Sequence, residues 1–195
     1  PDARDLCRGE RPMSKIDDLL TAYRKHMSLP WSDLLSPQEK VWFCIYDPAQ
    51  ERRLRKQMEA FAIVTQEAGH DWIPVDVTFL FEQFLASNEH HEKYYQNPRL
   101  IKFEEKNFLK HLSNYVGDRA QASTPSSVVA ISGIGALYGI VRVSKIVEEI
   151  VKTVPIPGRL MVFFPGERDG KNYRLLKARD GWNYLATPIE AEEME

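Results

Sequence analysis

A glycine-rich turn follows one of the most apolar segments of the chain. Residues 127–132 (SVVAIS) are typical of a buried strand, and the glycines that come next are Gly133, Gly135 and Gly139. In an α/β protein, a turn of this kind is where a nucleotide phosphate binds. A phosphate loop also needs a lysine and then a serine or threonine after its last glycine, but Ile140 and Val141 stand there. The turn has the shape for a ligand without the phosphate-binding side chains, and close packing against the sheet is the alternative interpretation.

Three carboxylates lie at or just beyond the ends of predicted strands. Asp47 follows residues 41–46, Asp76 lies near the end of 72–77, and Glu167 comes shortly after 159–164. Ligands of open α/β sheets bind at this carboxyl edge, so these side chains could hold magnesium or act as bases in a nuclease or nucleotide hydrolase. Asp47 and Asp76 are equally suited to capping the helices that follow them, which requires no catalytic function.

Local signatures of other chemistry are weak. Residues 88–92 (NEHHE) are the densest group of possible metal ligands, but the adjacent His90 and His91 would point about 100° apart on a helix and would not converge on one ion. No GxSxG, HExxH or nucleophile–histidine signature is present. We therefore expect no metal, no cofactor and no catalytic residue, and a binding module is favoured over an enzyme.

Composition indicates an ordinary globular protein. The chain has 195 residues, 26 basic and 28 acidic, with a net charge of −2, so no general basic excess marks a nucleic-acid binder. Cys44 lies in an apolar run and is expected to be a buried, inert thiol, while Cys7 lies near the start. No leader sequence and no apolar run of membrane-spanning length is evident, so a cytoplasmic location is expected.

Strand and helix patterns alternate along the chain. This alternation predicts a single α/β domain with a largely parallel central sheet flanked by helices, similar to a degenerate P-loop or Rossmann-like fold. Pro74 predicts an edge position for its strand, Pro165 and Gly166 are expected to end the strand at 159–164, and Ser144 is a predicted helix cap. The expected limits are an extension or expression remnant at 1–12, the domain at 13–189 and an acidic tail at 190–195.

Several blocks of sequence together resemble the BrxB family of bacterial BREX (bacteriophage exclusion) loci. The resemblance runs from about residue 13 to residue 189, and its most specific part is FFPGE, then NYRLL, then DGWNYL. The other blocks are IDDLL with YR, PW, VWF through YDP, ERRL, SGIG with YG, and RVS.

The resemblance implies a role in defence against phage. Such loci also encode a large ATPase, an adenine-specific DNA methyltransferase (PglX) and an alkaline-phosphatase-like protein (PglZ), and they mark host DNA by methylation. It supplies no catalytic residues, so we expect a non-catalytic adaptor whose first candidate partner is PglZ and whose second is the ATPase. Exposed aromatic and arginine side chains dominate interface energetics, and the candidate anchors are Arg142, Arg174, Trp182 and Tyr184.

A basic run on one helix leaves a second binding function open. Its side chains are Arg52, Arg53, Arg55 and Lys56, diluted by Glu51 and Glu59. They could form the footprint of a DNA-binding accessory, and a solvated helix face explains the same charges.

Overall fold

Residues 15–191, except 33, 90 and 177, are described by the computed structural model. Cys7, His90, the expected extension at 1–12 and residues 192–195 of the acidic tail lie outside the described residues. The described part is an α/β domain in which strands and helices alternate, as the sequence predicts. The strands are β1 (Val41–Tyr46), β2 (Asp71–Asp76), β3 (Ser127–Ser132), β4 (Arg159–Asp169), β5 (Asn172–Leu175), β6 (Trp182–Asn183) and β7 (Thr187–Ile189).

Helices connect the parallel strands and cover both faces of the sheet. They are α1 (Lys15–Met27), α2 (Glu51–Glu67), α3 (Leu80–Ala86), α4 (His91–Gln96), α5 (Glu105–Ala120) and α6 (Val143–Thr153). Segments of 3₁₀ helix lie at Pro48–Gln50, Pro98–Glu104 and Ile134–Leu137. The last of these occupies the glycine turn, so a full turn of 3₁₀ helix and a loop separate β3 from α6.

The main sheet has the order β2-β3-β4-β1-β7, and all of these neighbours are parallel. The carboxyl ends of the strands therefore meet at one edge, which receives Asp47, Asp76 and the glycine turn. Pro74 lies on β2 at the border of the sheet, which confirms the predicted edge position. An edge strand tolerates proline because one row of its backbone groups has no ladder to complete.

Two hydrophobic cores lie on opposite faces of the sheet. All six residues of β1 are buried, and they alternate between the cores: Trp42 and Cys44 face the helices α1 and α2, whereas Phe43 and Ile45 face the opposite layer. That opposite layer consists of α3, α5 and α6. An apolar run without alternation is typical of a strand covered on both faces, as the sequence predicts.

The expected end of β4 at Pro165 and Gly166 is wrong. The strand continues to Asp169 and changes partner: it is parallel to β1 up to Pro165 and antiparallel to β5 from Gly166. Glycine is required at this exchange because a Cβ on Gly166 would lie 2.8 Å from a ring carbon of Phe164 and 3.1 Å from the carbonyl carbon of Arg174. The extended part of β4 forms a hairpin with β5, and β6 pairs with the other side of β5, so that these antiparallel strands lie above the carboxyl edge.

Ser144 is not the cap of α6. The helix begins at Val143, the capping position is Arg142, and no side chain provides a capping hydrogen bond there. The first turn also contains no acidic residue. Within the described part of the chain, the amino end of α6 thus lacks the acceptors that usually satisfy its free backbone N–H groups.

Candidate functional site

Asp47 and Asp76 both bind backbone N–H groups at the carboxyl edge. Asp47 Oδ1 accepts a hydrogen bond of 2.9 Å from the N–H of Ala49, and Asp76 Oδ1 accepts one of 2.9 Å from the N–H of Thr78. The Tyr115 hydroxyl donates to the main-chain carbonyl of Asp76 over 3.0 Å. Asp47 therefore caps the 3₁₀ segment Pro48–Gln50, which is the alternative that the sequence offers to metal chelation. The same alternative is wrong for Asp76, because α3 begins at Leu80 with Phe79 at its capping position, and the bond from Thr78 closes a turn before that helix.

The glycine turn packs against the end of β2. Gly133 has a φ of 83°, and a Cβ at this position would lie 2.7 Å from the backbone N of Thr78 and 2.8 Å from Asp76 Oδ1. The space that a phosphate cradle would leave open is filled here by the neighbouring strand end. Gly139 also has a positive φ, 81°, but a Cβ there would meet no atom of the described residues within 4 Å, apart from its own chain neighbours.

A polar network joins α2 to the same edge. Arg55 forms an ion pair with Glu51, with Nε 2.7 Å from Oε1, and it donates to the Thr78 hydroxyl over 2.8 Å. Glu51 in turn accepts a hydrogen bond from the Tyr46 hydroxyl. Because Arg53 is also paired, with Asp17 at 3.0 Å, part of the basic run on α2 is committed to intramolecular contacts.

Glu167 lies apart from this network, on the antiparallel extension of β4. It is exposed, and its Oε1 is 3.3 Å from Nε of Arg174 on β5. Two of the residues selected by type, one as a carboxylate and one as an interface anchor, are therefore partners of each other across the hairpin.

A groove of about 450 Å³ lies above the carboxyl edge. One wall is the segment from Tyr138 to Lys145, which leaves the glycine turn and enters α6. The other is formed by Leu175 at the end of β5, by residues 178–181 and by Trp182 at the start of β6. Two of the four predicted anchors, Arg142 and Trp182, line it. The groove brings together residues about forty positions apart in the chain.

Trp182 joins the groove to the core. Its ring is half-buried and lies 5.7 Å from Phe43 and 5.9 Å from Phe164, measured between ring centroids. Its buried Nε1 has no hydrogen-bond partner among the described residues. Trp182 is thus a core residue on one side and part of a concave wall on the other.

Tyr184 belongs to the same aromatic cluster, 6.3 Å from Trp182, and does not line the groove. Burial, followed by the negative charge of Glu148, raises the pKa of Tyr184 to about 12. Its hydroxyl is buried and has no partner among the described residues. Of the four predicted anchors, Arg142 and Trp182 therefore line the groove, whereas Arg174 and Tyr184 lie outside its lining.

The groove carries more positive than negative charge. Arg142, Lys145 and Arg179 line it together with Glu105 and Asp180. Lys145 and Glu105 form an ion pair, whereas neither Arg142 nor Arg179 has an ion-pair partner among the described residues. Local sequence reasoning missed Lys145, since a lysine in the first turn of a helix carries no distinguishing pattern.

A larger hollow of about 730 Å³ lies at the opposite edge, before the starts of β1, β3 and β4. Its lining is mostly apolar, and its Lys40 donates to the carbonyl of Pro157 over 2.9 Å. Since ligands of open α/β sheets bind outside the carboxyl ends of the strands, the smaller charged groove is the stronger candidate.

No group of three or more histidine, cysteine, aspartate or glutamate side chains within the described ranges is placed to hold a metal ion. The helices in this part of the chain are also too short or too polar to cross a bilayer.

The fold and the groove define an α/β protein with a candidate binding site at the carboxyl edge of a parallel sheet. The chain belongs to the BrxB family, since residues 75–189, more than half of its length, match the family model described as BREX protein BrxB. It is therefore a component of a BREX phage-defence system. No curated protein and no solved structure gave a match.

Proposed function

We propose that this protein is a non-catalytic adaptor of its BREX system and that the groove at the carboxyl edge binds another BREX protein. PglZ is the first candidate partner and the large BREX ATPase is the second, and the site of action would be the cytoplasm. The observation that carries the proposal is the placement of Arg142 and Trp182 in one concave surface. Arginine and tryptophan are the residue types most enriched among the residues that dominate binding energy.

The catalytic alternative has less support. Asp47 and Asp76 are engaged in hydrogen bonds to backbone N–H groups, and Glu167 lies on the hairpin beside Arg174. A nuclease or nucleotide hydrolase would need these carboxylates free to bind magnesium or to accept a proton.

A DNA-binding accessory also has less support. Arg53 and Arg55 on α2 are paired with acidic side chains, which lowers the charge available to phosphates. Arg52 and Lys56 remain exposed. Two exposed cations on one helix do not form the extended basic surface that nucleic-acid binding proteins present.

The test is purification of the tagged protein after expression with its neighbouring genes, followed by mass spectrometry and size exclusion. A stoichiometric complex with PglZ or with the ATPase is expected. Recovery of the protein alone at every salt concentration would overturn the adaptor proposal and would make nucleotide and DNA binding the next measurements.

The placement of the interface is tested separately by single substitutions in that complex. Arg142→Ala is expected to weaken binding by about 2 kcal/mol or more, and it leaves the core untouched because the side chain is exposed. Arg174→Ala is the matched control, since this arginine lies outside the groove lining and pairs with Glu167. An equal loss of affinity in both variants, or no loss in either, would show that the interface does not lie in the groove.

A further inference from the structure

We infer that the groove binds an acidic peptide segment of the partner, with its carboxylates held by Arg142, Arg179 and the amino end of α6. The inference rests on the proposed function, because it specifies the chemistry of what the adaptor binds. The alternatives, a basic segment and a nucleic acid, are outcomes of the test.

Charge complementarity is the first argument. The paired Lys145 and Glu105 cancel each other, so the uncompensated groups in the lining are Arg142, Arg179 and Asp180. Two arginines against one aspartate attract an anion, and arginine presents a planar fork of donors that matches a carboxylate. A basic segment would meet like charges here.

The amino end of α6 adds to the same field. Val143, Ser144 and Lys145 all line the groove. The helix has neither a capping side chain nor an acidic residue in its first turn. Free N–H groups and the positive end of the helix dipole favour a negative group at this place. A carboxylate from a partner would supply the acceptor that the described residues do not provide.

Aromatic side chains explain why a peptide fits better than a free ion. Tyr138 is 48% exposed at one wall, and the half-buried Trp182 forms part of the other. A peptide provides apolar atoms that pack on such rings, which a free ion does not. The volume of about 450 Å³ holds a few side chains and leaves a folded partner domain outside.

The same surface is poorly suited to a nucleic acid. Glu105 and Asp180 line the groove beside the cations, and its positive charge comes from a few side chains at the start of α6 and from Arg179 on the facing wall. Duplex binding requires charge neutralisation along a length of backbone. A short acidic segment matches both the size and the charge of the groove.

The experiment measures binding of a fluorescein-labelled peptide of six glutamates to the full chain by anisotropy, at low and at physiological salt. Saturable binding is expected, with a fall in affinity as salt rises. Six-residue lysine peptide, inorganic phosphate and a 20-base-pair DNA duplex are the comparison ligands. Stronger binding of the lysine peptide or of the duplex, or phosphate competition as effective as the glutamate peptide itself, would overturn the inference.

Charge reversal locates the binding. Arg142→Glu and Arg179→Glu are each expected to reduce affinity for the glutamate peptide at least tenfold. Arg52→Glu makes the same charge change at an exposed position on α2 and is expected to leave the affinity within twofold. An equal loss in all three variants would indicate a general electrostatic effect and would contradict a groove site.

A fourth variant separates binding from folding. Ser144→Glu places a carboxylate in the first turn of α6, where it interacts favourably with the helix dipole, so the unfolding temperature is expected to rise or stay unchanged. The affinity for the acidic peptide is expected to fall at least threefold, because the new carboxylate lies at the helix end where a carboxylate of the peptide would bind and repels it. Unchanged affinity would contradict the role given to the helix end.

The complex used to test the proposed function distinguishes the two failures. If PglZ or the ATPase still co-purifies with the Arg142→Glu, Arg179→Glu double variant, the acidic-segment inference fails while the adaptor proposal stands. If no partner co-purifies with the unmodified protein, the adaptor proposal fails, and the peptide measurements then report only what the groove can bind.

Discussion

Asp76 occupies the space that a side chain at Gly133 would need. Asp76 ends β2, and Gly133 directly follows the neighbouring parallel strand β3, whose last residue, Ser132, is paired in register with Asp76. A Cβ on Gly133 would lie 2.8 Å from Asp76 Oδ1 and 2.7 Å from the backbone N of Thr78. The glycine therefore allows the end of β2 to close over the turn, and the contact gives the turn a structural role.

Substitution of the two positive-φ glycines in the turn should distinguish the stability lost to backbone strain from the stability lost by disrupting this contact. Gly139→Ala, with open space around it and a φ of 81°, is expected to lose about 1–2 kcal/mol of stability through the left-handed conformation alone. Gly133→Ala carries the same strain and must also displace Thr78, which adds about 1–3 kcal/mol. Urea denaturation measures both, and equal losses would show that the strand end moves aside without cost.

Stability should fall in mildly acidic solution because of His26. Burial, and then the charge of Arg159, lowers the pKa of His26 below its usual 6.5. Above pH 6.5 the imidazole is neutral in both states and contributes no pH dependence. Below it the unfolded chain takes up the proton more readily, so stability is lost as the pH falls from 6.5 through the folded-state pKa.

The variant His26→Phe isolates this contribution. It removes the titrating group and keeps an aromatic ring at the position that makes an edge contact with Trp42, 4.5 Å between centroids. Urea midpoints measured from pH 7.5 to 5 should decline less in the variant than in the unmodified protein. Parallel declines in the two proteins would assign the pH dependence to other groups.

Cys44 should be unreactive in the folded protein. Its side chain is fully buried, and burial raises the pKa of the thiol well above its ordinary value. The thiolate, which is the reactive form, is therefore scarce as well as inaccessible. In a Cys7→Ser variant, a thiol reagent should label no residue in native buffer and one residue per chain in denaturant. Rapid native labelling would mean that α1 opens away from the sheet.

The elements of the sheet were predictable wherever local sequence determines them. Val41–Tyr46 is apolar without alternation because both faces of β1 are covered, and Pro74 marks an edge because proline cannot complete a ladder. The continuation of β4 past Pro165 was not predictable in this way. Two local signals conflict there: Pro165 and Gly166 indicate the end of a strand, whereas Asp169-Gly170 is typical of the tight turn of a hairpin, and the hairpin that pairs Gly166 of β4 with Leu175 of β5 is the one that forms.

The residues of the candidate groove were likewise predicted only in part. Arg142 and Trp182 were selected from the sequence because their residue types dominate interfaces, and both line the groove. The same criterion selected Arg174 and Tyr184, which lie on the hairpin and in the aromatic cluster. Residue type indicates what can bind, but only the packing of the hairpin over α6 decides which side chains share a surface.

A structural role and a catalytic role predict different outcomes when Asp47 and Asp76 are changed to asparagine. Asparagine keeps the Oδ1 that accepts the N–H of Ala49 or Thr78. At position 47, which caps the segment Pro48–Gln50, asparagine caps about as well as aspartate. A metal ligand or general base would lose its function on the same change. Asn variants are therefore expected to retain stability and phage defence, whereas Ala variants lose about 1 kcal/mol each. Plaque counts together with urea midpoints check this, and an Asn variant that folds normally but no longer protects cells would restore the catalytic alternative.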